Sequence, residues 1–245
     1  MNTDQRIEKI KKWILNYCES MPKKATTLCI GVSGGIDSSV TSTICALTGM
    51  KTIALSMPIK QIKSQDDLSK AHCKWLKDKF QNVETQDINL DNVFEKFQNA
   101  LSNYKSEHAH ANSKARIRMT TLYQVAGSSN GIVVGTGNKV EDFGVGFYSK
   151  WGDGACDISP IADCTKTQIW NMGKELKILD DIIKAEPTDG LWLDGRTDAS
   201  QLDMTYQELE EAMKDPKNKN HKKYLEIRNK NLHKMNPIPV CKMDD

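Results

Sequence analysis

Nine residues constrain this chain more than any other part of it: Gly31-Val-Ser-Gly-Gly-Ile-Asp-Ser-Ser39, set where the apolar run Leu28–Val32 gives way to a helix-like stretch from Asp37 to Leu47. A buried strand that ends in glycines and feeds a helix brings backbone N–H groups and the positive end of a helix dipole to one point. Small side chains let an anion approach that backbone, so the stretch reads as a phosphate cradle. No Lys follows the glycines, which excludes the G-x-x-x-x-G-K-[ST] loop of the common nucleoside triphosphatases. Asp37 would repel a phosphate here unless a cation stands between them, and a hard carboxylate oxygen points to Mg²⁺. The plain alternative is an ordinary Gly-rich strand-to-helix turn. Glycines, acid and hydroxyls crowded into six residues, Ser33–Ser38, argue against it.

The rest of the chain repeats a strand–helix rhythm. Ile7, Ile10, Ile14 and Tyr17 recur at helical spacing over 5–19 and predict an amphipathic opening helix. After the cradle, the helix from Asp37 stops at Gly49, and Thr52–Ser56 reads as a second strand. A helix from Ser64 to Phe80 follows, with Ser64 as its N-cap. Val83–Ile88 is a third strand; helices are expected near Asp91–Leu101 and from about Asn112 to Ala126, then a strand at Ile132–Thr136. Such alternation predicts a single α/β domain over residues 1–245, a doubly wound parallel sheet with helices on both faces. The loops after Val32 and Thr136 then share the sheet edge where ligands bind in this architecture. His108-x-His110 reads as part of a solvated loop, and Lys214 to Lys234 as a solvated, mobile loop and helix.

Composition removes other classes. With 34 Lys+Arg against 32 Asp+Glu the net charge is +2, too weak a field for general nucleic-acid binding. No apolar stretch is long enough to span a bilayer, and the start, MNTDQRIEKIKKW, has no signal-like apolar core, so a cytoplasmic location is expected and no membrane partner. Seven cysteines without a C-x-x-C pair read as reduced thiols, several of them in the core, rather than disulfides or a zinc site.

The cradle resembles the PP-loop of the ATP pyrophosphatase group, whose members split ATP between its α and β phosphates and adenylate a substrate oxygen. Four further segments are similar, in the same order, to those of ammonia-dependent NAD synthetases: Lys114–Met119, Gly135–Glu141, Lys150–Asp157 and Glu186–Leu191. Arg196-Thr-Asp198 and His233-Lys-Met235 with Pro237 and Pro239 fit as well. Trp151, Ala155 and Ala199-Ser200 depart from the usual pattern of Tyr, Gly and acidic residues.

That resemblance implies an adenine nucleotide α hydrolase-like fold, amidation of deamido-NAD with ammonia and ATP, and a homodimer, with the helix Arg118–Val125 as a candidate interface. It implies ATP contacts at Gly31, Val32, Ser33, Gly34, Gly35, Ile36, Asp37, Ser38, Thr136, Lys166 and Thr188, and Mg²⁺ ligands at Asp37 and Glu141. Arg116, Lys150, Asp157, His233 and Lys234 match positions that hold the dinucleotide. Asp153 matches an acid near the reacting carboxylate, where it would accept a proton from ammonium, while Lys166 would neutralise charge on the phosphates. A glutamine-hydrolysing domain would take roughly 200 further residues with a nucleophilic Cys, so free ammonia is the expected donor. Another PP-loop adenylating amidase or thiolase, and a non-catalytic nucleotide-binding module, are the competing readings.

Overall fold

The computed structural model describes residues 1–192 and 194–243; Leu193 and the last two positions of the expected domain lie outside it. Helix α1 (Thr3–Ser20) opens with a capping box between Asn2 and Gln5. Strand β1 (Thr27–Gly31) leads through the cradle into α2 (Ile36–Leu47), followed by β2 (Lys51–Ser56), α3 (Lys63–Lys79) and β3 (Val83–Asp87). Then come α4 (Asp91–Ala100), α5 (Glu107–Ser128) and β4 (Gly131–Val134). A π-helical turn at Glu141–Val145 precedes α6 (Lys166–Glu175), α7 (Asp180–Lys184), α8 (Asp198–Leu202), α9 (Tyr206–Lys214) and α10 (His221–Met235).

The four strands are parallel in the order β3-β2-β1-β4, with Thr27 level with Lys51 on one side and Gly131 on the other. The chain winds outward from β1 to β3 and then returns to the far side of β1, so the reversal of direction falls between β1 and β4. Side chains alternate along a strand, which sends Leu28 and Ile30 to one face and Cys29 to the other. The first face packs on α1, α2, α3 and α6 through Ile14, Val40, Ile44, Leu76 and Ile169. The second packs on α4 and α5 through Phe94, Met119 and Leu122. A third cluster, around Val140, Val145, Leu209 and Tyr224, joins the C-terminal helices to the loop after β4.

Several local expectations change. The buried stripe of α1 ends in Cys18, and Tyr17 is exposed, because Ile7, Ile10 and Ile14 continue four residues on to Cys18. Ser64 is not the cap of α3: the helix begins one residue earlier, after Ile62, with no side-chain cap. Helix α5 starts at Glu107 under a Ser106 cap, five residues before the expected start. His108 and His110 therefore sit in its first turn, not in a loop, His110 packing edge-on against Phe94. The Lys-rich stretch holds most of α10, whose Arg228 Nη1 donates to the carbonyls of Phe143 and Gly144, at 2.5 Å each. That anchor lands the C-terminal helix on the π-helical turn. All seven cysteines are free, five of them buried.

Candidate active site

The cleft opens at the β1/β4 reversal and encloses about 710 Å³. Its floor is the cradle. Ser38 Oγ donates to the Gly35 carbonyl at 3.0 Å and accepts from the Ser33 amide at 3.2 Å, which curls the loop back on itself. Helix α2 has no side-chain cap, so the amides of its first turn are presented to a ligand. Gly34 has φ +88°, and a Cβ there would lie 2.7 Å from the Ser69 amide nitrogen, so only glycine fits between the loop and α3.

Asp37, in the first turn of α2, and Glu141, at the start of the π-helical turn, are brought together as expected. Between them lies Lys166, the first residue of α6. Its Nζ donates to Asp37 Oδ2 at 2.6 Å and to Glu141 Oε1 at 2.7 Å, and its side chain is 2% exposed. Desolvation would lower its pKa, but the two carboxylates hold it above the ordinary lysine range. Desolvation leaves Asp37 raised; for Glu141 it is outweighed by Lys166 and by bonds from Tyr206 and Asn138, which leave that acid lowered.

Of the residues that brace this centre, Asn138 and Asp198 lie in segments the sequence marks, but nothing in the local sequence gives them this role, and Tyr206 lies outside those segments. Buried Asn138 donates to Asp37 Oδ1 at 3.0 Å, while its own oxygen accepts from the amides of Val140 and Glu141 at 2.9 and 3.0 Å. One side chain thus ties the cradle to the loop after β4. Tyr206 bonds both Glu141 and Asp198, the latter at 2.7 Å. A single phenolic proton cannot serve two ionised acids, and burial, then the Glu141 charge, pushes Asp198 up to about 7. Asp142 also faces the cleft; desolvation, then Asp153, Glu141 and Asp37, raise it well above the carboxylate range.

Thr136 and Thr188 both line the cleft, and Thr188 Oγ1 accepts from Gln65 at 2.8 Å. The segment carrying Thr188 is fastened by buried Lys114, which donates to the Leu191 carbonyl at 2.9 Å, and by Asp189, which accepts from Trp192 Nε1 at 3.1 Å. Arg118, desolvated and pushed down to about 10, donates to the Met57 carbonyl at 2.9 Å and to Gln61 at 2.8 Å.

The rim carries Arg116, Lys150, Asp153, His233 and Lys234, all lining the cleft. Arg116 Nε donates to the Lys150 carbonyl at 3.1 Å, Lys150 Nζ to that of His233 at 3.1 Å, and Lys234 Nζ to that of Tyr148 at 2.8 Å. Asp153 accepts from the Ser149 amide at 3.0 Å. Asp157 stands outside the cleft. Its oxygens accept from the Val133 amide at 2.7 Å and the Tyr123 hydroxyl at 3.1 Å, which fastens the loop to β4.

An open parallel sheet with a glycine-rich cradle and a buried lysine at its reversal point defines an α/β protein with its cleft at the strand ends. Residues 6–243 match the family model described as NAD synthase, and the chain belongs to that family. It is 32% identical to the NH(3)-dependent NAD(+) synthetase of Carboxydothermus hydrogenoformans over 86% of this chain and 85% of that one. It is 34% identical to the enzyme of the same name from Mycoplasma genitalium over 96% and 94%. Among solved structures, the NMN synthetase from Francisella tularensis superposes with a TM-score of 0.90 at 29% identity, covering 99% of this chain and 100% of that one.

Proposed function

We propose that this chain is a carbon–nitrogen ligase that converts deamido-NAD to NAD with ammonia, splitting ATP to AMP and pyrophosphate. The observation that carries this reading is the meeting of Asp37, Glu141 and Lys166 at the cradle, in a chain aligned over most of its length with NH(3)-dependent synthetases.

A carboxylate resists amines because an oxide would have to leave. Its oxygen therefore first attacks the α-phosphorus of ATP, forming an O–P bond as the α–β bridge breaks, and the acyl adenylate then loses AMP to ammonia. The cradle amides would orient the phosphates, and Lys166, bonded to Asp37 beside them, would neutralise charge as pyrophosphate departs. Two hard carboxylates converging on one cation position fit Mg²⁺, with Asp37 and Glu141 as the ligands. When bound, that ion would supply charge neutralisation for the leaving pyrophosphate. Arg116, Lys150, His233 and Lys234 offer cationic and polar groups for the substrate's own phosphates. Asp153, which also lines the cleft, would take the proton that ammonium gives up.

Among the described residues no helix is long and apolar enough to cross a membrane. The seven free thiols suit a reducing cytoplasm. A homodimer across the outer face of α5 is part of the proposal, where Tyr123 and Trp151 are 40% and 56% exposed. Light scattering that reports only a 27.6 kDa particle would count against it.

A second reading concerns substrate size. The structural match to the NMN synthetase extends over essentially the whole of both chains, which favours a mononucleotide acid as an alternative substrate. Incubation with ATP, Mg²⁺, ammonium and either acid, with chromatography of the products, tests both. NAD, AMP and pyrophosphate in equal amounts are expected from the dinucleotide; a higher kcat/KM with the mononucleotide would reassign the substrate, and no product from either would sink the ligase.

A further inference from the structure

Lys166 occupies the position that the metal assignment above gives to Mg²⁺. We infer that the Lys166 ammonium is a built-in stand-in for that cation, holding Asp37 and Glu141 together in the free protein and yielding its place only when nucleotide phosphates arrive. Metal uptake is then conditional on ATP. The inference rests on the proposed metal pair and adds how that pair is guarded.

Competition for the same oxygens is the first support. The ammonium lies 2.6 and 2.7 Å from one oxygen of each acid, and Mg²⁺ would need those oxygens at about 2.1 Å. A dication entering between the same two carboxylates would lie against the ammonium, and the two cations repel each other. The second support is that the acids are braced by other residues, while the Lys166 ammonium donates to the two acids alone. Asn138 holds Asp37 and the backbone before Glu141, and Tyr206 holds Glu141 itself. Lys166 extends from a helix start locked by the Thr165–Gln168 capping box, so an exchange of its partners needs only a rotamer change of its four-carbon stem, with its Cα in place. The third is a destination. Asp37 belongs to the first turn of α2, so a phosphate on the free amides there lies beside it, within reach of the displaced ammonium. The nucleotide brings oxygens for the metal and an anion for the lysine together, so each arrival favours the other.

Mn²⁺ is the probe, followed by the paramagnetic resonance of the free ion without nucleotide. Lys166→Gln should bind Mn²⁺ at least about tenfold more tightly than wild type, within the usual range of coupling between sites. Lys166→Arg, which keeps a cation in place, should show no gain, and adding Asp37→Asn to Lys166→Gln should abolish it. Equal affinity in wild type and Lys166→Gln, or an equal gain in Lys166→Arg, overturns the inference. Should circular dichroism show that Lys166→Gln does not fold, wild type decides. Uptake of Mn²⁺ alone that Asp37→Asn abolishes overturns the idea; uptake that needs an α,β-methylene ATP analogue supports it. If Asp37→Asn and Glu141→Gln both leave uptake of the Mn²⁺–analogue complex unchanged, the metal pair itself is wrong, a result distinct from failure of the lysine guard.

Discussion

At the phosphate end of the cleft, charged side chains meet one another on regular elements; at the rim, they meet backbone carbonyls. Lys166, Asp37 and Glu141 come from α6, α2 and the π-helical turn and are 2%, 16% and 15% exposed. Lys150 and Lys234 donate only to carbonyls from the half-open wall. The contrast separates two jobs. On the proposed function, the buried charges that act on a transferring phosphoryl group are held by one another, so removing one partner strands the other and only a competing ion parts them. Those that would embrace a long substrate are tethered by single bonds to carbonyls, so each can be removed without stranding a buried charge.

The sharpest way to break this contrast is Lys166→Met. It leaves two buried acids without their cation, and urea unfolding should show a loss of about 3–5 kcal/mol, with pyrophosphate release abolished. A variant as stable as wild type would mean that the centre is not held by its ion pairs.

Behind the cradle, His72 tests the same rigidity through pH. Its ring is fully buried, bonds Ser42 at 3.0 Å, and is pushed by burial down to about 4. The unfolded chain takes up a proton near the ordinary value of about 6.5, so stability is complete above that pH and is lost as pH falls toward 4. Between pH 7.5 and 5 the loss should be about 2 kcal/mol, and His72→Gln should flatten it. An unchanged slope would place the pH dependence elsewhere.

Gly34→Ala should cost about 1–3 kcal/mol in thermal melting and weaken ATP binding, because the backbone of α3 cannot move aside. The smallest effects belong to the rim. Lys150→Ala and Lys234→Ala should each raise the KM for the acid substrate by about tenfold with kcat little changed, and shift stability by no more than about 0.5 kcal/mol. If either lowers kcat as much as Lys166→Met does, the two ends of the cleft are not distinct.

The same contrast explains what the sequence discloses. The cradle is legible because its glycines, acid and hydroxyls are contiguous, and Glu141 because it follows a strand that must end at the same edge. The sheet's winding follows from the alternation of apolar runs and helical stripes. That Lys166 lies between the two acids is not legible: 129 and 25 residues separate it from its partners, and only packing of α6 on α2 closes the distance. Asn138 sits within a recognisable loop, yet its bridge to Asp37 depends on β1 and β4 being neighbours. His233 and Lys234 reach the rim because Arg228, five residues earlier than His233, anchors α10 to the π-helical turn. Asp157, next to rim residues in the chain, turns instead toward β4.

The central claim is that Asp37 and Glu141 serve one adenylation centre. Pyrophosphate release that depends on the acid substrate should be measured in Asp37→Asn, Glu141→Gln and the double variant at saturating Mg²⁺, with thermal melting in parallel. Each single change should lower release by about a hundred- to a thousand-fold in protein that still melts cooperatively, and the double should lose little more than either single. Near-normal release in one single variant, or multiplicative losses in the double, would contradict a shared centre.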